Sequence, residues 1–162
     1  MSTPEIIKQI SVYLENKPGR LASVCSALAK DKINISAMTV AEHRDRCVLR
    51  LVTDDMTKTR SVLKKLNVET SLDDVVLVPM SNRPGALAQV CEQLAHEHIN
   101  IDYAYSNATS KNGKSVGVFK VSNASRCVKL LADTSTKMKR DGHGGRGWSR
   151  GGRVEKFGAG QE

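Results

Sequence analysis

Two short turns in the sequence carry the groups needed to hold a small ligand that has a carboxylate and an amine. They read Asn-x-Pro-Gly-x-Leu at residues 16–21 and 82–87, and a predicted helix follows each of them. The first turn of a helix has free backbone N–H groups and a partial positive charge, which can receive a carboxylate. Gly19 and Gly85 would let a ligand approach the backbone closely. The amides of Asn16 and Asn82 offer both donors and acceptors, so the mixture of groups suits an amino acid.

A purely structural role predicts the same residues, because Pro-Gly is a common turn pair and asparagine favours turns. Asn34 and Asn100 form a second pair of candidates, each between two isoleucines at the start of a predicted strand. The alternative for these two is a helix C-terminal cap in the left-handed conformation, which asparagine tolerates. The binding and capping roles are compatible with each other.

Both turns belong to an internal repeat, in which the second copy follows the first at a constant offset of 66 residues. Chance does not hold one offset over so many positions without a gap, so the chain contains two copies of one structural unit. The matching residues are Asn16, Pro18, Gly19, Leu21, Ala22, Val24, Cys25, Leu28, Ala29, Ile33, Asn34 and Ile35, and then Asn82, Pro84, Gly85, Leu87, Ala88, Val90, Cys91, Leu94, Ala95, Ile99, Asn100 and Ile101.

The elements that position these turns follow from hydrophobic periodicity. The first copy has predicted strands at 10–14, 33–40, 47–52 and 68–72, and the second has them at 75–78, 99–105 and 115–121. The first helix of each copy places apolar residues at i, i+3, i+4, i+7 and i+8, from Leu21 to Ala29 and from Leu87 to Ala95. Second helices are predicted at 56–66 and 124–132, and the inward residues of the former are Val62, Leu63 and Leu66. Polar hairpin loops are predicted at 42–45 and 110–113.

This order is β-α-β-β-α-β, which predicts an α+β fold with two tandem ferredoxin-like units, each an antiparallel sheet with two helices on one face. The boundary between the units is placed at Asp73-Asp74, which gives modules at 1–73 and 74–136. The second module is expected to lack its last strand, because the segment 136–140 that aligns with 68–72 is too polar. Residues 137–162 form a basic tail, with eight of the twelve glycines in 142–160, and this tail is expected to be disordered.

The segments ENKPGRLASVCSALAKDKINI and SNRPGALAQVCEQLAHEHINI resemble the signature of ACT domains. The resemblance covers about residues 5–136 and implies that an amino acid or similar effector binds where two modules pair. The ligand would lie beside the strand-to-helix turn of one module and the second strand of its neighbour. The residues implied are Asn16, Gly19, Arg20, Leu21, Asn34 and Ile35 in the first module and Asn82, Gly85, Ala86, Leu87, Asn100 and Ile101 in the second.

Other site chemistry has little support in the sequence. The four histidines and four cysteines form no Ser/His/Asp set, no HExxH motif and no zinc-ligand spacing, and no phosphate-binding loop is present. We therefore expect no catalytic residues, no metal site and no cofactor. The cysteines are interpreted as buried apolar residues, with a single disulfide as the alternative. The N-terminus has no signal-peptide pattern and no transmembrane run is present, so a cytoplasmic protein is expected.

Half of the net charge of +8 lies in the tail, so the body is only mildly basic and does not call for a nucleic acid or a membrane partner. The tail itself gives the alternative function. Residues 144–153 are similar to arginine–glycine segments that bind RNA, in which arginine contacts phosphate and Trp148 would stack on a base. A solvated terminus is the simpler explanation of the same residues.

The sequence as a whole predicts a regulatory protein that binds an amino acid. Leucine and isoleucine line the inferred pocket, which favours an aliphatic ligand. Two small modules with exposed sheet edges would gain by pairing, so a homodimer is expected. Because no catalytic domain is attached, the regulated enzyme would be a separate chain.

Overall fold

The structure is a computed structural model that describes residues 3–43, 46–109 and 114–140. Ten elements run in the order strand-helix-strand-strand-helix-strand-helix-strand-strand-helix. This order confirms the predicted α+β fold with a duplicated split βαβ arrangement. The elements are β1 (Glu5–Glu15), α1 (Arg20–Lys30), β2 (Ile35–His43), β3 (Arg46–Thr53), α2 (Met56–Lys65), β4 (Glu69–Ser81), α3 (Ala86–His96), β5 (Ile101–Thr109), β6 (Lys114–Val121) and α4 (Ala124–Arg140).

The two copies share one antiparallel sheet of six strands in the order β2-β3-β1-β4-β6-β5. The last strand of the first copy and the first strand of the second copy are the two halves of β4, which runs without a break through Asp73 and Asp74. Pro79 lies beyond the last residue of β4 that pairs with β1, so its missing N–H costs no hydrogen bond in that ladder.

The pairing of β1 with β4 is almost symmetric about one residue pair. Lys8 lies opposite Asp74 in the register, and the two are separated by the same 66 residues that relate the copies. An ion pair of 2.7 Å joins their side chains. Because of this symmetry, the N-terminal part of β1 occupies the place of the strand that the second copy lacks, opposite residues 75–77. The segment 136–140, which we expected not to be a strand, is the last part of α4.

Two apolar cores lie on the helical face of the sheet, one under each pair of helices. Val24 and Leu28 of α1 are buried over the first copy, and Val90 and Leu94 of α3 are buried over the second. The predicted apolar faces of the helices were too wide, because only the residues at the middle of each face point at the sheet. Those predicted to be inward but found exposed are Leu21, Ala29, Leu66, Leu87 and Ala95.

The opposite face of the sheet is concave and partly closes on itself. A third apolar cluster there draws residues from all six strands, and β2 and β5 contact each other although they are the two edges of the sheet. Its fully buried members are Val52, Val75 and Val118. Strong twist of the long central strands brings the edges together, so this face is a second interior rather than a flat exposed surface.

Parts of three predictions lie outside the described residues. These are residues 44–45 of the first hairpin loop, the second hairpin loop at 110–113 and the arginine–glycine segment with Trp148. Residues 137–140, which the sequence analysis assigned to the tail, belong to α4.

We predict that the two copies unfold as one cooperative unit, because β1 and β4 each belong to both copies. Leu51 is fully buried in the first core, and Leu51→Ala should lower the free energy of unfolding by about 2–5 kcal/mol. Hydrogen exchange should then accelerate in β6 as well as in β3.

Leu66→Ala is the control, since Leu66 is 37% exposed and its loss should cost less than about 1 kcal/mol. Faster exchange confined to the first copy in Leu51→Ala would show that the copies unfold independently.

Candidate ligand-binding site

The two candidate turns have nearly identical backbones. Gly19 has φ 85° and ψ −14°, and Gly85 has φ 86° and ψ −12°. The N–H of Arg20 donates to the carbonyl of Lys17 at 3.3 Å, and the N–H of Ala86 donates to that of Arg83 at 3.2 Å. These are type II turns, in which proline precedes a residue that must have positive φ. The turn itself therefore requires each glycine, whether or not a ligand approaches it.

Each turn leaves two backbone donors of the following helix unused. The N–H of Ser23 bonds to Gly19 and that of Gln89 bonds to Gly85, which closes the first helical turns. Among the described residues, the N–H groups of residues 21, 22, 87 and 88 have no acceptor. These donors and the helix dipole face solvent at an exposed helix start, so each turn can accept a carboxylate.

Side chains beside the free N–H groups are also without protein partners. The amides of Asn16 and Asn82 make no hydrogen bond to the described part of the chain. Leu21 and Leu87 are 37% and 53% exposed although each lies in the first turn of an amphipathic helix. Space beside the turns is open as well, because a Cβ added to Gly19 or Gly85 would meet no atom within 4 Å. An uncapped helix start, a polar amide and an exposed leucine thus coincide at both turns.

The turns differ in electrostatics. In the first, the carboxylate of Glu15 accepts from Lys17 at 2.9 Å and from Arg20 at 3.1 Å. These two cations hold the pKa of Glu15 below its ordinary value. In the second turn Ala86 replaces the arginine, and the Nε of Arg83 donates to the Oγ of Ser81 at 3.0 Å. A ligand carboxylate at the first turn would compete with Glu15 for Arg20, whereas the second turn offers backbone donors without a competing acid.

The capping alternative for Asn34 and Asn100 is wrong. The left-handed residues that end α1 and α3 are Lys32 and His98, at φ 56° and 54°. The N–H of Ile33 bonds to the carbonyl of Leu28 at 3.0 Å, the 6→1 bond of a Schellman motif. The matching bond in the second copy joins residues 99 and 94.

Asn34 and Asn100 instead fix the starts of β2 and β5. The N–H of Asn34 donates to the carboxylate of Asp54 at 3.0 Å, and the N–H of Asn100 donates to the Oγ of Ser122 at 3.1 Å. Asp54 and Ser122 return a backbone bond to the carbonyl of the same asparagine. Asp54 and Ser122 were not predicted as partners, although each stands just after the third strand of its copy, and this matching place was the available signal.

The predicted site residues divide into separate groups. The turn residues of the two copies lie at opposite ends of the sheet, measured along the strands. One end has Asn16, Gly19, Arg20 and Leu21, and the other has their counterparts 82, 85, 86 and 87. Residues 34–35 and 100–101 lie near the middle, at the starts of β2 and β5. The nine-residue strand β2 places its first residue about 26 Å along the strand from the level of the first turn. A single chain therefore does not bring a turn next to residues 34–35 or 100–101.

Other candidate chemistry is limited in the described residues. No group of three or more His, Cys, Asp or Glu could hold a metal among them, and no described helix is long and apolar enough to cross a membrane. All four cysteines are free, which rules out the intrachain disulfide in this structure. Cys127 alone is fully buried, and burial raises the pKa of its thiol to about 11.

These features define a duplicated ferredoxin-like protein with an exposed, uncapped helix start and open space beside each strand-to-helix turn. A family model for an ACT domain pair matches residues 5–140. The chain belongs to this family. Comparison with curated protein sequences finds no match.

Three solved structures illustrate the range of similarity. Protein BT0572 from Bacteroides thetaiotaomicron is 38% identical with a TM-score of 0.76, over 83% of this chain and 92% of that one. The ligand-free regulatory subunit of aspartate kinase from Thermus thermophilus is 17% identical with a TM-score of 0.62, over 82% and 96%. Aspartokinase III from E. coli, in complex with lysine and aspartate, is 13% identical with a TM-score of 0.52, over 84% and 32%. The last two show a shared fold.

We predict that Gly19→Ala lowers the free energy of unfolding by about 1–2 kcal/mol, because an L-residue is strained at positive φ. Gly19→Asn should cost less, since asparagine tolerates this conformation. Urea unfolding of both variants, and of the same pair at Gly85, measures the difference. Equal stability of Gly19→Ala and wild type would contradict the type II geometry.

Proposed function

We propose that this protein is a cytoplasmic, non-enzymatic sensor that binds an amino acid at its strand-to-helix turns and passes the signal to a separate regulated enzyme. The observation that carries the proposal is the coincidence, at both turns, of free first-turn N–H groups with a partner-free asparagine amide and an exposed leucine. The N–H groups would take the carboxylate, the asparagine oxygen would accept from the ammonium group, and the leucine would cover an aliphatic side chain. Four free thiols suit a reducing compartment such as the cytoplasm.

Membership of the ACT domain pair family supports amino acids as the first ligands to test. An aspartokinase that shares the fold was crystallised with lysine and aspartate, which gives two particular candidates. The exposed Leu21 and Leu87 favour an aliphatic ligand instead. A screen of all twenty amino acids by thermal shift separates these candidates, because a ligand that binds only the folded state raises the melting temperature.

We further propose that the binding site is completed by a second copy of the chain. Each turn is about one strand length from the second-strand residues that the family places beside the ligand. The edge strand β2 has the exposed apolar side chains needed for an interface, since Met38 is 44% and Val40 is 45% exposed. Pairing of edges between two chains would bury these side chains and bring a turn of one copy near Asn34 or Asn100 of the other.

Replacing the asparagine of each turn by alanine tests the turns directly as binding sites. Asn16→Ala and Asn82→Ala should each weaken binding of the amino acid found by the screen about tenfold, because a hydrogen bond to a charged group is lost. Stability without ligand should not change, since neither amide bonds to the described protein. Calorimetric titrations with melting curves measure both quantities.

Asn123→Ala is the matched control with the opposite expectation. The Oδ1 of Asn123 accepts from the N–H of Arg126 at the start of α4, so this variant should lose about 1 kcal/mol of stability and keep its affinity. Unchanged affinity in the double variant of Asn16 and Asn82 would rule out the turns as the site.

Charged substitutions on the edge strand β2 test the proposed interface between two chains. A variant with both Met38→Lys and Val40→Lys should be monomeric in sedimentation experiments and should bind the amino acid at least tenfold more weakly. Leu72→Lys is the control, because Leu72 is similarly exposed, at 40%, but lies on the central strand β4. A wild-type protein that is monomeric at micromolar concentration and still binds the amino acid would contradict the shared site.

A further inference from the structure

A polar cluster on the concave face lies far from both turns. We call it the Arg50 cluster and define it by Gln9, Arg50, Asp73, Tyr103 and Lys120. It joins the two copies, because Arg50 belongs to β3 and its guanidinium lies 4.1 Å from the ring centre of Tyr103 in β5. Gln9 of β1 is fully buried between two tyrosines, donating to the hydroxyl of Tyr103 at 2.6 Å and accepting from that of Tyr105 at 2.9 Å.

The internal repeat shows that the fold does not require this cluster. The register pairs Ser11 with Arg50 in the first copy and Leu77 with Val118 at the equivalent place in the second. The same comparison can be made at every member of the cluster. The equivalents of Gln9, Arg50, Asp73, Tyr103 and Lys120 are Val75, Val118, Ile7, Ala37 and Val52, all of them in the apolar cluster of the concave face. Residues of both copies form the cluster, and the positions that the repeat relates to it pack with aliphatic side chains instead.

Arg50 is the cation of the cluster that has no counter-charge. Its buried Nε has no hydrogen-bond partner, and its guanidinium forms no ion pair within the described residues. The carboxylates of Glu69 and Asp73, on the same face of β4, are bound to Arg46 and Lys120 at 3.1 and 2.9 Å. Withdrawing a charge from water without a partner is costly, and stacking on one ring compensates only part of this cost. Arg50 therefore lacks the anionic partner that would balance its charge.

The hydroxyl of Tyr103 adds a second donor beside the guanidinium. Because the amide of Gln9 donates to its oxygen, the hydroxyl hydrogen of Tyr103 is available to another acceptor. Nearby acceptors are already engaged, since Gln9 Oε1 accepts from Tyr105 and Asp73 accepts from Lys120. The cluster therefore presents donors to a ligand, and the charge of its one carboxylate, Asp73, is already neutralised by Lys120. Arg50 and Tyr103 are only partly buried, so a ligand can reach both.

We propose that the Arg50 cluster is a second ligand site, in which a small carboxylate without an ammonium group binds the guanidinium of Arg50 and the hydroxyl of Tyr103. A carboxylate matches the fork of a guanidinium and forms short charge-assisted hydrogen bonds. The apolar side chains of Ala37 and Val52, next to Arg50 on the same face, suit a short aliphatic chain. This site shares no residue with the turns. Because it spans β3 and β5, its occupation would reinforce the contact between the two copies.

The buried Nε–H of Arg50 gives a direct reporter. Shielding from water should make its nitrogen–proton resonance visible in arginine side-chain NMR spectra, and Arg50→Lys assigns it by its loss. Titration of the full chain with propionate should shift this resonance with saturation in the millimolar range. Glycine, which has a carboxylate and an ammonium group, and inorganic phosphate should shift it at least tenfold more weakly.

Two substitutions test the contacts. Arg50→Gln should abolish propionate binding measured by calorimetry, and Tyr103→Phe, which keeps the ring and removes the donor, should weaken it at least fivefold. Arg46→Gln is the matched control, since Arg46 is on the same strand and face but is paired with Glu69 and exposed. It removes the same charge and should bind propionate as wild type does.

Three results would overturn the proposal: a resonance of Arg50 that does not respond to propionate, an equal loss of binding in Arg46→Gln, or a stronger response to phosphate. If Arg50→Gln does not fold, the wild-type titration and Tyr103→Phe decide alone. The turn sites are tested separately, because Asn16→Ala and Asn82→Ala should leave propionate binding intact.

Discussion

The antiparallel pairing of β1 with β4 is the interaction on which the rest of the structure depends. It links the two copies of the repeat through their central strands and turns two small modules into one six-stranded sheet. Because the register pairs Lys8 with Asp74, the N-terminal part of β1 also completes the sheet of the second copy, which has α4 where a last strand would be. Neither half would have a complete sheet without the other.

That pairing also decides where the candidate ligand-binding groups lie. Since β1 and β4 run in opposite directions, the turns after them are at opposite ends of the sheet, while the starts of β2 and β5 meet near its middle. The candidate residues at the turns and at the starts of β2 and β5 are thus kept apart within one chain. This separation is the basis for the proposal that two chains complete the site, with the exposed Met38 and Val40 of the edge strand β2 at their interface.

Duplication preserved the backbone and changed the chemistry. The two turns have the same dihedral angles, yet an arginine held by Glu15 stands in one and an alanine in the other. On the concave face, the repeat relates Gln9, Arg50 and Lys120 to the aliphatic residues Val75, Val118 and Val52. Backbone geometry follows from the turn and from sheet register, which tolerate many side chains, whereas a ligand responds to the side chains themselves. Positions that the repeat relates to each other therefore differ in chemistry on one scaffold.

The sequence by itself determined the elements and the turns, because these depend on local effects: the period of apolar residues, the φ of proline and the need for glycine at positive φ. It also identified the missing last strand from the polarity of residues 136–140.

Leu21, Leu66 and Leu87 were assigned to the interior because periodicity gives the side of a helix that is apolar but not how far the sheet extends beneath it. The left-handed residue after α1 is Lys32 rather than Asn34, since backbone bonds over a whole turn select it. Only the tertiary structure decided that β4 is one strand and that Arg50 meets Tyr103, residues more than fifty positions apart, because strand register and sheet curvature arise from contacts that no local pattern encodes.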